Sequence, residues 1–338
     1  MAKLFLLVLF FIFTSVLADL KQSWTEYKLQ YEKSYPSMIE DEARFQIFLK
    51  QKKMVEEHNK RYEAGLESFS MRLHKFSDLF PREMEQMNSC YRKSRINGTT
   101  DFVGKLEEAE NSTRYVGVRP YVDWRQAHKV TSVKNQGGCN SCWAEATVAA
   151  IESRHAIAGH PLVDLSVQQL VDCDPLGKGC ASGNAAEAME YIYKVGGLEA
   201  NSVYPYRAVR GICHVNSASF LARLSGFRHY EPKNPPSLTE MQMAGIVDRE
   251  GPIVVAIAVS PNFKNFHKGV LVDPTCAHLK LNHQVTIVGY NIDKSVPQPY
   301  WIIKNSYGTQ AGDHGYWRLL FGANTCGIAS EIDIPYVL

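Results

Sequence analysis

The chain has no surplus of charge of either sign. Its 338 residues carry 37 Lys and Arg against 35 Asp and Glu, so the electrostatic footprint expected of a nucleic-acid partner is missing. After the first twenty residues no apolar run approaches the roughly 20 residues needed to span a bilayer. No internal repeat is visible. A zinc clamp is also poorly supplied. Cys139 and Cys142 stand three apart, but a structural zinc site needs a second close pair, and Cys173 and Cys180 match no common ligand spacing. A thioredoxin-type pair would need a strand–helix redox context, and the surrounding pattern does not offer it.

What is present begins with MAKLFLLVLFFIFTSVLAD: a lysine, an apolar run from Leu4 to Phe13, then small residues ending at Ala18. This is the layout of a secretory signal peptide, and residues 1–18 are expected to be one. Eight cysteines then follow, at 90, 139, 142, 173, 180, 213, 276 and 326. In an oxidising compartment most should pair. Cys90 stands far from the others, and the remaining seven are odd in number. If the region around Cys90 is removed, one thiol is left over and needs a reason to exist.

Residues 19–95 are charged and helical in pattern. Glu40, Arg44, Phe48, Gln51, Val55 and Asn59 fall on one stripe of a single long helix. From Asn97 to Val118 the composition shifts to short polar and acidic runs, which reads as an exposed linker. Asn97 and Asn111 each open an Asn-x-Thr sequon there, so both are candidate glycan sites. Further on, the spacing predicts helices after Ser141 up to Ala158, over Ser166–Asp172 and over Ala185–Val195. Ser237 and Glu240 suggest a capping box that opens another helix, ending at Gly251-Pro252. Apolar β-rich runs follow at Ile253–Val259, Gln284–Tyr290, Tyr300–Lys304 and Gly315–Leu320. Helices first and strands afterwards suggest an α+β fold in two lobes.

A thiol attacks a carbonyl as the thiolate, so it needs a proton acceptor and a field that favours negative charge. Cys142 follows Ser141 at a predicted helix start, where backbone N–H groups and the helix dipole stabilise an anion. Its base must come from elsewhere in the fold. Here "VKNQGGCNSCWA" resembles the nucleophile segment of papain-like cysteine proteases (cathepsins L, K, S and relatives). "LNHQVTIVGY" resembles their histidine segment and "WIIKNSYG" their asparagine segment. "YVDWRQ", "LSVQQLVDC" and "YPYRAV" extend the likeness across nearly all of residues 118–338. The stripe from Glu40 to Asn59 is similar to the helical motif of cathepsin L-like inhibitory propeptides, with Gln51 and Val55 as conservative departures. Phe76 and Asp78 fit the end of the second prosegment motif, while Arg72 and His74 depart from it.

The resemblance implies a papain-like two-lobed α+β fold, a helical lobe and a β-barrel-like lobe with the cleft between them, preceded by a helical inhibitory propeptide. It implies residues 19–95 as propeptide domain, 96–117 as linker and activation segment, and 118–338 as peptidase domain. Cys142 would be the nucleophile and His283 the base that becomes imidazolium. Asn305 would orient the imidazole, and Gln136 would donate its amide to the oxyanion together with the backbone N–H of Cys142. The bridges implied are Cys139–Cys180, Cys173–Cys213 and Cys276–Cys326, leaving Cys142 free in the mature enzyme. Cys90 would be an incidental thiol discarded with the prosegment. In that family the prosegment blocks the cleft until acid loosens it, and Asp78 with the unusual His74 are candidates for the acid-sensitive element.

By the same likeness, Gly183 borders the non-primed subsites. The S2 pocket would be lined by Asn184, Ala185, Ala256 and Leu281, with Glu331 at its base, a set that accepts arginine as well as bulky apolar P2 groups. The expected activity is cysteine endopeptidase, since no insertion of the cathepsin B kind lies between Gly183 and Tyr204. The alternative is a catalytically weak papain-like binding or regulatory protein, to which Asn140, Glu145, Tyr307 and Ala311 lend weight as departures. A buried Glu145 is expected to find a basic or hydroxyl partner. No cofactor or metal is implied. Expected partners are protein and peptide substrates, the chain's own propeptide and cystatin-type inhibitors. Nucleic acid and a membrane span are not expected, and a monomer is. The destination would be the lysosome or the outside, a digestive lumen included.

Overall fold

The computed structural model describes residues 18–87, 89–96, 117–231 and 238–338, together with the backbone of 100–103. The expected signal peptide up to residue 17, both sequons, most of the expected linker and Ser237 lie outside the described residues. The chain divides into two compact units, Met1–Glu67 with Met71–Met84, and Ser68–Ser70 with Glu85–Leu338.

In the first unit a helix over residues 18–30 is followed by the long helix Met38–Glu63. Ser37 caps the latter by accepting from the Glu40 backbone N–H at 3.2 Å, and Glu40 and Asp41 place negative charge in the first turn, where the helix dipole favours it. Phe45 and Phe48 turn inward against Trp24 and Tyr27 to form an aromatic core. Arg44 grips both carboxylate oxygens of Glu83, at 2.8 and 2.9 Å, and also reaches Glu40 at 2.9 Å. Asp78, fully buried, accepts from Tyr27 (2.8 Å), Lys33 (2.9 Å) and Tyr35. Asn59 closes the far end by exchanging two hydrogen bonds with the Met71 backbone, at 2.8 and 2.9 Å. The stripe read from spacing thus has a mixed chemistry: aromatic in the middle, with polar clamps at Arg44 and Asn59.

The second unit pairs helices with a wholly antiparallel sheet. Strand order is Tyr316–Leu320, Tyr300–Lys304, His283–Asn291, Ile253–Ile257, Ile332–Val337, Leu224–Tyr230 and Thr100–Val103, and Tyr121–Asp123 branches onto His283–Asn291. The helix Cys142–Ile157 is buried along all but its last residue. Its alanines at 144, 146, 149, 150 and 156 favour helix and let the strands approach closely. Together with Val167–Cys173 and Ala185–Val195 it encloses the core that holds Trp143, Ile151, Leu170 and Met189. Gly196, at φ 100°, ends the Ala185–Val195 helix in the left-handed conformation, as a glycine cap should. Helices packed on an antiparallel sheet make the second unit α+β, the class that the resemblance implies.

Two expectations change. The helix near residue 240 runs Glu240–Glu250, and its capping box is Thr239 with Gln242, two residues beyond the Ser237–Glu240 pair. Part of the expected exposed linker is a strand, Thr100–Val103, registered against Gly226–His229.

Candidate active site

Cys142 is the first residue of its helix. Ser141 occupies the N-cap position, but its hydroxyl pairs with the Tyr206 hydroxyl at 2.6 Å instead of capping. His283 opens the strand His283–Asn291, and Asn305 directly follows the neighbouring strand Tyr300–Lys304. Because these two strands are antiparallel, the start of one and the end of the other meet at one edge of the sheet, facing the helix start. His283 Nε2 lies 2.8 Å from Asn305 Oδ1, and that oxygen also accepts from the Ser306 N–H at 2.7 Å. Tyr307 lies over the imidazole with ring centroids 5.0 Å apart, and turns its edge to Trp317. Gln136 donates from Nε2 to the Cys139 carbonyl at 3.1 Å and accepts from the Ser306 hydroxyl at 2.7 Å. Cys142, His283, Asn305 and Gln136 are therefore all brought together, each at least 95 % buried.

Cys142 is not free. It is bonded to Cys90, and no described cysteine is unpaired. The expectation of Cys90 as an incidental thiol is corrected: its sulfur sits 3.1 Å from His283 Nδ1 and is bonded to that of Cys142. The Sγ atoms of Cys90 and Cys142 and a ring nitrogen of His283 all lie within 4.8 Å of one another. Burial pushes the His283 imidazole down to about 4, against a smaller upward pull from Asn305, so in this bonded state the ring is neutral at neutral pH. The other bridges are Cys139–Cys180, Cys173–Cys213 and Cys276–Cys326.

Sequence reasoning missed the segment that carries Cys90. Tyr91 bridges Gly183 in parallel: the Gly183 N–H donates to the Cys90 carbonyl at 2.9 Å, and the Arg92 N–H donates to the Gly183 carbonyl at 3.0 Å. Gly183 lies flat on the Trp143 indole, and a Cβ there would overlap the ring. That is why this backbone-binding position has no side chain. Tyr91 sends its hydroxyl 2.7 Å to Glu331, and Asn184 donates to the other carboxylate oxygen at 2.8 Å. Burial, with Asp333 next to it, raises the pKa of Glu331. Ala185 and Ala256 are fully buried here, Ala256 donating its N–H to the Glu331 carbonyl at 3.1 Å, while Leu281 is partly exposed beside Gly327. Arg92 forks onto Glu187, whose Oε1 also accepts from the Arg95 N–H at 2.8 Å. The only sequence signal for the pairing of Cys90 was the parity of the cysteines: seven cannot all pair, and eight can.

The departures have mixed outcomes. Asn140 reaches the Ser89 hydroxyl at 3.3 Å. Ala311 is buried. Glu145 does not find the expected partner: neither carboxylate oxygen makes a hydrogen bond among the described residues. It lines a cavity of about 10 Å³ with Lys134, Lys304 and Asn305, room for about one water molecule. Burial pushes the Glu145 pKa up to about 7 against the opposing pull of Lys134, and burial pushes Lys304 down to about 8.

Residues 118–336 match the family described as papain family cysteine protease, and residues 24–84 match the cathepsin propeptide inhibitor domain. The chain is similar to cathepsin L of Sarcophaga peregrina, 34% identical over 94% of this chain and 93% of that one. It is similar also to digestive cysteine proteinase 2 of Homarus americanus, 35% identical over 95% and 96% of the two chains. Among solved structures, digestive procathepsin L2 from the Tenebrio molitor larval midgut superposes with a TM-score of 0.83 at 35% identity, covering 94% of this chain and 99% of that one. With a peptidase domain, an inhibitory propeptide domain and their fold all matched, the chain belongs to the papain family of cysteine proteases and is a cathepsin L-like cysteine endopeptidase zymogen that carries its own propeptide inhibitor.

Proposed function

We propose that Cys142 is the nucleophile of peptide-bond hydrolysis and His283 its general base, with Asn305 holding the imidazole and Gln136 donating to the oxyanion. One observation carries this reading: the Cys142 sulfur starts a buried helix within 4.8 Å of the imidazole, and the imidazole is tied from behind to Asn305 at 2.8 Å. Once Cys142 is free, the thiolate attacks the scissile carbonyl carbon. The C–S bond forms, the C–N bond breaks, and His283 passes the proton to the departing amine. Water then cleaves the acyl-enzyme. The Gln136 amide and the Cys142 N–H stabilise the oxyanion, and loss of one such donor costs on the order of 10²–10³ in rate.

The S2 reading rests on Gly183, Asn184, Ala185, Ala256, Leu281 and Glu331. A carboxylate under a pocket mouth held by Gly183 suits a P2 arginine as well as an aromatic, and Tyr91 already occupies that position with a hydroxyl directed at Glu331. We take residues 1–18 as signal peptide, 19–95 as propeptide, 96–117 as the segment cut on activation and 118–338 as the mature enzyme. Asn97 and Asn111 would carry glycans. The setting proposed is lysosomal or extracellular, a digestive lumen included. Cystatin-type inhibitors are proposed partners, and the enzyme would act as a monomer. Among the described residues no helix is long and apolar enough to cross a membrane.

The test is active-site titration of the acid-activated, thiol-treated chain with an epoxide inhibitor. Labelling of Cys142 with loss of the prosegment supports the enzyme. A fully reduced, processed chain that neither labels nor cleaves peptides would instead make it a papain-like binding protein.

A further inference from the structure

The feature that the protease reading leaves without a role is Cys90. Given that Cys142 is the nucleophile, on which this inference rests, we propose that Cys90 is a covalent latch on the active site, so that the zymogen is armed only by thiol–disulfide exchange with a thiol or dithiol reductant.

The bond consumes the one atom the reaction cannot spare. A disulfide serving only as a brace would tie two parts of the scaffold, as Cys139–Cys180, Cys173–Cys213 and Cys276–Cys326 do. Cys90–Cys142 instead joins the reacting sulfur to a segment upstream of the enzyme domain. That segment is seated by polar contacts on both sides of the cysteine: Asn140 to Ser89 before it, and Gly183, Glu331, Asn184 and Glu187 to residues 90–95 after it. The two sulfurs are thus held together before any bond forms, with a high effective concentration and little further chain entropy to lose. Both cysteines are fully buried, so a reductant must wait until residues 89–95 lift. The latch also gives the chain a reason for an even cysteine count. An exposed low-pKa thiol in an oxidising lumen is open to sulfenic and higher oxidation, whereas a buried disulfide returns to thiol on reduction.

The exchange balances without any group the site lacks beyond the reductant. The thiolate of the reductant attacks Cys90 Sγ, a new S–S bond forms there, and the Cys90–Cys142 bond breaks with its electron pair on Cys142. Cys142 is the better leaving group because its place at the helix start stabilises its thiolate, and a better stabilised thiolate leaves faster. A second thiol then attacks the mixed disulfide and releases Cys90, which takes up a proton. Overall two thiols are oxidised to one disulfide and the Cys90–Cys142 disulfide is reduced by two electrons. The nucleophile is free after the first step alone.

Two measurements on the full-length chain, secreted under oxidising conditions and purified without reductant, test this. A non-reducing digest read by mass spectrometry is expected to contain one linked peptide holding Cys90 and Cys142, which separates on reduction. Recovery of Cys142 as an alkylatable thiol in the untreated chain overturns the latch. Epoxide titration in acid is expected to require a dithiol for the wild type and not to require it for Cys90→Ser purified under argon. An unlatched variant with unchanged reductant dependence also overturns the proposal. If Cys90→Ser does not fold, the linked peptide decides alone. The nucleophile reading fails separately: the linked peptide would be found and opened, yet no Cys142 would titrate.

Discussion

At the scale of single residues, His283 and Glu331 make opposite demands on pH. With Cys142 bonded, His283 is a buried neutral imidazole with a pKa of about 4. Below pH 6.5 the unfolded chain takes up a proton that the folded chain refuses until about 4. The stability this group contributes is therefore complete above 6.5 and is lost as pH falls, by on the order of 3 kcal/mol. NMR titration of the unreduced chain should place the His283 midpoint near 4, and reduction should move it upward, because a neighbouring thiolate favours imidazolium. A midpoint near 6.5 before reduction would contradict this. For Glu331, burial and Asp333 raise the pKa, so its negative charge is gained only as pH rises. The activated enzyme should cleave Arg at P2 with efficiency comparable to Phe, with the Arg/Phe ratio growing with pH. Glu331→Ala should flatten that growth, and a variant that keeps the wild-type ratio at every pH would remove Glu331 from the pocket. Cys142, His283 and Asn305 were legible in the sequence because each sits in its own local motif. Cys90 was not, since its partner lies 52 residues away and no local pattern encodes a pairing at that distance.

At the scale of elements, the helix Cys142–Ile157 carries a cost in its first turn. Glu145 is raised to about 7, so between pH 4.5 and 7 the folded chain holds a proton that the unfolded chain has released. Stability from this group falls as pH rises through that window. Glu145→Gln should raise the thermal midpoint at pH 8 and leave it nearly unchanged at pH 4.5. An equal shift at both values would mean that desolvation of the carboxylate is not the cause. In the propeptide, His74 is 5 % exposed and its backbone N–H donates to the Ser77 hydroxyl at 2.9 Å, while its Nδ1 accepts from the Phe76 N–H at 3.2 Å. Protonation at Nδ1 would forfeit that second bond. His74→Asn is expected to move the pH of autoactivation downward, and an unmoved profile would leave His74 without a role in acid sensing. Element boundaries were legible where a stop signal is unique, as Gly196 is after Val195. They slipped where two signals overlap: Ser237–Glu240 and Thr239–Gln242 both satisfy the same capping pattern. The strand Thr100–Val103 was invisible because its pairing is dictated by the edge it joins, residues 226–229, and not by its own composition.

At the scale of the whole molecule, the fold was legible from the order of helices and strands together with three motifs in sequence. The state of the active site was not. Residues 89–95 lie upstream of the enzyme domain by sequence, yet they pack with Glu85–Leu338 as one compact unit. A boundary drawn by composition at residue 95 or 96 therefore cuts through a set of contacts, and the chain's functional division falls elsewhere than its structural one.

The Cys90–Cys142 bond separates two events that are usually treated as one. A protease that cuts between residues 96 and 117 severs the backbone but leaves the fragments joined through sulfur. The product is a two-chain molecule of nearly full mass, nicked yet silent, that could be stored or transported after processing is finished. Whether such a molecule digests anything is then decided by the redox potential of its destination and not by how many copies have been cut.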